Sequence, residues 1–152
     1  MKAIKAFFAT DTHSWSLLIA RLSLGFVLLP HGMQKVLGLF GGYGFAGTLG
    51  GLQSMGLPFL IALLVILAEF AGSIGVIIGL GTRFMAFSIL LTMSGAMVLG
   101  GHVANGLFMN WAGTQKGEGM EYFILILGLA LVLMIGGGGK WALDNFISKK
   151  LK

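Results

Sequence analysis

Six ionisable side chains sit in stretches that otherwise carry hydrocarbon-like groups: Arg21, His31, Lys35, Glu69, His102 and Glu121. A charge at the centre of a membrane helix costs about 2.5–3.5 kcal/mol on insertion scales, so each needs a partner or a task. On a helix turning roughly 100° per residue, Arg21, Leu28, His31 and Lys35 share an arc of about 80°. That stripe must face protein or a water-filled cavity. Pro30 precedes His31 and removes a backbone donor, which frees a carbonyl one turn earlier. The kink serves either a pocket or packing alone.

Two polar groupings follow. Glu69 lies near the middle of its apolar stretch, and a lone carboxylate there must be paired or protonated. Depth arithmetic puts Arg21 about 9 Å and Glu69 about 16 Å above the same end of the bundle, a gap an arginine can close. The expected structural ion pair is therefore Arg21 with Glu69, fixing helix register. The second grouping is His31, Lys35, His102, Glu121 and Tyr122, all within about two helical turns of the opposite surface. Histidines, a lysine and a carboxylate at one depth form a candidate proton-handling or substrate-binding site. The plain alternatives are a headgroup-seeking lysine and a carboxylate placed favourably at a helix start.

The elements that position these groups are membrane helices. The hydrophobic class makes up 57% of the 152 residues and charged residues only 10%, against about 25% charged in soluble domains. Mean hydropathy is +0.95. This excludes a soluble enzyme and intrinsic disorder. The net charge of +5 is too sparse for a nucleic-acid stripe. With no cysteine there is no disulfide, thiol catalysis or cysteine-held metal, and no metal motif is found.

Four stretches reach or approach the roughly 20 residues a span needs, at about 15–37, 58–80, 83–102 and 121–139. The expected architecture is an all-α, integral membrane four-helix bundle forming one domain over 1–152. Phe45, Leu49, Leu52 and Met55 recur at helical spacing, so a short interfacial helix is expected at about 44–55. Lys2, Ile4, Lys5, Phe7 and Phe8 read as a small amphipathic helix, with a counterpart at about 141–150. Lys2, Lys5, Arg83, Lys140, Lys149, Lys150 and Lys152 gather at one end, with Lys35 and Lys116 toward the other. The positive-inside rule then places both termini in the cytoplasm. The first apolar run reads as a span rather than a cleaved signal. Ala68, Gly72, Gly75 and Gly79 form a small-residue seam that permits close helix packing and homo-oligomers.

The run Arg21, Gly25, His31-Gly32-Met33-Gln34-Lys35 before a Gly-rich loop resembles the first helix of the DoxX family. Leu57-Pro58, Glu69, Gly79-Leu80-Gly81-Thr82-Arg83, Gly119-Met120-Glu121-Tyr122, and Gly137-Gly138 with Asp144 resemble its later landmarks. The resemblance spans about 15–144 and implies a small four-helix protein of the cell inner membrane. Its relatives include DoxD of a thiosulfate:quinone oxidoreductase, so a redox or quinone-linked role is implied. On this reading His31 and Lys35 donate to a quinone ring, and His102 or Glu121 relays protons. Phe26, Phe40 and Phe45 line a channel for the tail. Lacking a metal motif, the chain would need a redox partner protein. The alternative is a non-catalytic scaffold or lipid-binding protein whose polar pairs only lock packing. A bis-histidine haem site on His31 and His102, or an oligomeric pore, are further readings.

Overall fold

The computed structural model describes residues 6–150, and all its regular elements are helical. Lys2, Ile4, Lys5 and Lys152, used above for the amphipathic start and for orientation, lie outside the described residues. Helix α1 is Trp15–Leu37, opened by the Ser14 hydroxyl accepting from Leu17 N and closed by left-handed Gly38. After a 3-10 turn at Leu39–Gly41 comes α2, Gly44–Ser54. Helices α3 (Phe59–Ile78), α4 (Thr82–Leu99), α5 (Glu121–Gly136) and α6 (Asp144–Lys150) follow.

Helices α1, α3 and α4 are long and apolar enough to cross a bilayer. The fourth expected stretch, 121–139, carries a shorter helix. Helix α5 has 16 residues and stops at Gly137, whose φ of 80° breaks the helical path. At about 1.5 Å per residue it covers about 24 Å, short of the roughly 30 Å hydrocarbon core. The expected helix at 141–150 is likewise shorter, beginning at Asp144.

Leu24 and Leu28 of α1, Val76 of α3, Ile89 and Met93 of α4, and Ile126 and Leu133 of α5 form one buried cluster. The reverse faces are just as apolar. Ile19, Phe26, Leu60, Leu91, Leu125 and Ile135 are all well exposed, Ile135 at 73%. Helices apolar inside and outside at once are stable only with hydrocarbon around them. The protein is therefore a membrane protein.

Helices α1 and α3 run antiparallel with their backbones close together. A Cβ on Gly32 would lie 2.6 Å from Phe70 Cα and 2.8 Å from the Glu69 carbonyl oxygen. One on Gly25 would lie 3.1 Å from the Ser73 carbonyl. Only glycine permits this approach.

One end of the structure is closed by a polar base. Arg21, 2% exposed, donates from Nη1 to the Ile77 carbonyl at 2.7 Å and from Nη2 to the Lys140 carbonyl at 3.0 Å. Arg83 donates to the carbonyls of Met134, at 2.7 Å, and of Ile135. Asp144 accepts from Gly81 N at 2.6 Å and Thr82 N at 2.9 Å. The ends of α3, α5 and α4, which lack intrahelical partners, are thus satisfied by side chains.

The glycine contact yields a direct check. Gly32→Ala must push α1 off α3 and should cost about 1–3 kcal/mol, the range for overpacking. Gly128→Ala, where an added Cβ meets nothing within 4 Å, should change stability little. Unfolding midpoints of both variants in detergent test this; equal midpoints would remove the register argument.

Candidate functional site

A cavity of about 160 Å³ lies among α1, α3, α4 and α5. His31 and Lys35 of α1, Glu69 of α3 and Tyr122 of α5 form its polar wall. Leu28, Met93, Ala96 and Phe123 form the rest. Lys35 sits in the last turn of α1, three residues or about 4.5 Å beyond the Gly32 contact with Glu69. Helical side chains tilt toward the helix N-terminus. The lysine therefore leans back onto Glu69, and Nζ meets Oε2 at 2.6 Å. The Lys35 side chain is 28% exposed and that of Glu69 only 4%. The Tyr122 hydroxyl is buried and has no hydrogen-bond partner. The His31 ring is 6.3 Å from the Tyr122 ring. Helix α1 continues through Pro30, so the residue before His31 contributes no backbone donor.

Glu69 thus pairs with Lys35 in place of the expected Arg21. Arg21 is level with Ile77, whose carbonyl it binds, and Ile77 lies eight residues or about 12 Å along α3 from Glu69. The tilt that carries Lys35 toward Glu69 carries Arg21 away from it, to the base. The depth arithmetic matched helix ends and ignored side-chain direction.

The second expected grouping is divided. His31, Lys35 and Tyr122 line the cavity, but His102 and Glu121 do not. The Nδ1 of His102 is 2.9 Å from the Glu118 carbonyl, and its ring packs on Phe123 at 4.5 Å between centroids. Glu121 accepts from Met109 N at 2.9 Å. Glu118 accepts from Asn110 N at 2.6 Å. These groups tie down the segment 103–120, each through one of its polar atoms. With His102 held there, the structure does not bring it onto the cavity beside His31 as haem ligation would require. Phe26, Phe40 and Phe45, expected along a channel, are exposed and do not line the cavity. Glu69 is the residue gained. Its signals in the sequence were its mid-helix position and the glycine at residue 32 that brings α1 against it. Met93 and Ala96 carry no signal, since apolar residues of α4 look alike from sequence.

The pair's energetics follow from its burial. Lys35→Met leaves the Glu69 carboxylate without its cation and should cost about 2–4 kcal/mol, somewhat under the 3–5 of a fully buried pair because the lysine is partly exposed. Lys35→Met with Glu69→Leu should recover most of that loss. Arg21→Met should be additive with Glu69→Leu, because the two residues share no contact. Detergent unfolding midpoints of the two cycles decide between the partners.

Comparison with known proteins agrees with a membrane protein. The DoxX family pattern matches residues 16–102, covering α1 through α4. The chain is 29% identical over 134 residues to "Inner membrane protein YphA" of Escherichia coli (strain K12), across 85% of this chain and 88% of that protein. It is 30% identical over 134 residues to "Inner membrane protein YqjF" of the same organism, across 88% and 92%. It is 30% identical over 135 residues to "Putative oxidoreductase CatD" of Bacillus subtilis (strain 168), across 89% of each chain. No solved structure matches the chain. A family pattern over more than half the sequence, on a helical membrane protein, establishes that the chain belongs to the DoxX family.

Proposed function

We propose that the cavity beside Lys35 and Glu69 binds the head ring of a quinone and that the protein serves a membrane oxidoreductase system as its quinone-binding subunit. One observation carries the reading: a partly buried ion pair, His31 and Tyr122 line one side of a small cavity whose other walls are apolar. Its volume of about 160 Å³ compares with the roughly 150 Å³ of a cavity that holds a single benzene ring. Lys35 supplies donors at one side of the ring, and Leu28, Met93 and Phe123 supply hydrocarbon at the other. Such a division of polar and apolar walls is usual for small-molecule sites. One relative carries an oxidoreductase name. The sequence offers no cysteine or redox centre of its own, so a partner must deliver or collect the electrons.

The accompanying topology is a single membrane domain in the cell inner membrane. Helices α1, α3 and α4 span it, α5 enters it as a shorter fourth helix, and α2 lies in the interface. Arg83, Lys140, Lys149 and Lys150 cluster toward the end formed by the polar base, which supports cytoplasmic termini. The cavity then sits in the outer half. The glycine turn ending α5 and the capping of its carbonyls by Arg83 support a short span that finishes below the headgroups.

The test is chemical. Purified protein is extracted with organic solvent and the extract analysed by mass spectrometry, alongside Lys35→Met/Glu69→Leu. Quinone in the wild-type extract and its loss in the double variant are expected. Phospholipid alone in both extracts, with no quinone-induced rise in melting temperature, overturns the reading in favour of a lipid-binding scaffold.

A further inference from the structure

At the rim of the polar base stands an aromatic pair that the cavity does not use. Trp15, the first residue of α1, and Trp141, in the turn before α6, meet edge to face with ring centroids 5.3 Å apart. Lys140 Nζ lies 3.9 Å from the Trp15 ring centroid and 5.2 Å from that of Trp141, within cation–π reach of both. The backbone fixes this group: Lys140 N donates to the Ser14 carbonyl at 3.1 Å, and the Lys140 carbonyl accepts from Arg21. Trp141 holds a φ of 57°, in the left-handed region that a bulky residue rarely adopts. Strain of this kind persists only where the surroundings impose it, and it gathers at binding sites. Both indoles nevertheless stay open, Trp15 at 54% and Trp141 at 67% exposed. The open polar groups are all donors. Among the described residues Lys140 Nζ has no ion pair, and neither indole N–H has a hydrogen-bond partner. Asp144 is turned onto the amides of Gly81 and Thr82, and Asp11 accepts from His13 N, so neither carboxylate pairs with Lys140. Helix α6 adds exposed Phe146 and, in its last turn, Lys149 and Lys150.

We propose that Trp15, Lys140 and Trp141 form a site for the headgroup of an anionic phospholipid at the membrane surface beside the base. The site is separate from the cavity and does not depend on the quinone reading. A phosphodiester offers acceptors and a negative charge, the complement of an ammonium and two indole N–H groups. The open indole rings and Phe146 are apolar bodies with or beside polar tips, the kind of surface that settles between headgroups and acyl chains. A lipid covers both kinds of surface, whereas a free phosphate leaves the rings in water. The lipid must also be anionic. A choline headgroup brings its own cation, and the ring faces that attract such a cation already lie under Lys140, so it meets a like charge.

The experiment uses the full chain carrying Trp111→Phe, which leaves Trp15 and Trp141 as its only tryptophans. It is reconstituted in vesicles of phosphatidylcholine and phosphatidylglycerol, with bromine on the acyl chains of one lipid or the other. Quenching of tryptophan emission then reads which lipid lies beside the pair. Phosphatidylglycerol should be preferred about fivefold, the effect of one lysine at an anionic surface. Salt at about 1 M should remove the preference by screening. Lys140→Gln keeps the backbone bonds of residue 140 and should abolish the preference, while Lys149→Gln/Lys150→Gln should retain it. Glycerol 3-phosphate at matched ionic strength should leave the quenching unchanged. Equal quenching by the two lipids at low salt overturns the proposal. Loss of the preference in Lys149→Gln/Lys150→Gln but not in Lys140→Gln overturns it in favour of a diffuse basic surface. Displacement of the lipid by glycerol 3-phosphate overturns it in favour of a free anion. The lipid and salt series decides the matter even where Lys140→Gln does not fold.

Discussion

Gly32 lays its backbone against Glu69 and Phe70, and the register of α1 on α3 follows from that contact. Helix pairs in a bilayer gain nothing from expelling water between them, so close packing and polar pairing must hold them together. Once Gly32 is seated, Lys35 stands one turn further along, with its side chain directed back at Glu69. At the other end the same register places Gly25 against the Ser73 carbonyl and Arg21 beside Ile77. A slip of one turn would separate the lysine from the carboxylate and bury two charges without partners. The glycine contact and the ion pair therefore specify the same alignment by independent means.

The polar base answers a different demand. Backbone groups at helix ends need partners wherever water is scarce. Helix α5 is too short to carry its last carbonyls out to water on its own. Arg83 reaches across from α4 to bind them, and it also binds the Ala9 carbonyl at 3.0 Å. Arg21 serves the end of α3, and Asp144 serves the beginning of α4. Thr10 accepts from Gly139 N and donates to the Gly136 carbonyl, both at 2.9 Å. Segments far apart in sequence thereby close one surface without adding a further helix.

Much of this was legible in the residues. Apolar length gave α1, α3 and α4 to within about three residues at each end, and helical spacing gave α2 within a glycine-rich stretch that composition alone would make a loop. The stop of α5 falls inside the glycine run 136–139, which reads as a plausible helix stop by residue type, although the sequence does not fix where in the run it comes. The ionisable residues of the candidate site were identifiable by cost alone. Their pairing was not, since Arg21, Lys35 and Glu69 admit two partnerships and the outcome depends on the direction in which helical side chains lean. His102 and Glu121 share the depth of the cavity. What draws them away is the folding of 103–120, whose backbone amides and carbonyls claim them, and a loop of that kind has no periodicity to read.

The difference between the two polar layers bears on which of them acts on a ligand. At the base, Arg21, Arg83 and Asp144 spend their hydrogen bonds on the chain's own carbonyls and amides, so the groups there hold helix ends together. The cavity layer does not differ in its count of satisfied atoms, since buried polar atoms without a partner occur at the base, on Arg21, Thr82, Arg83 and Asn145, as well as on Tyr122. It differs in its surroundings. Arg21 and Asp144 are each 2% exposed and enclosed by the segments they bind. Lys35 and Glu69 line an open space of about 160 Å³. A ligand has room beside the ion pair and none beside the groups that close the fold.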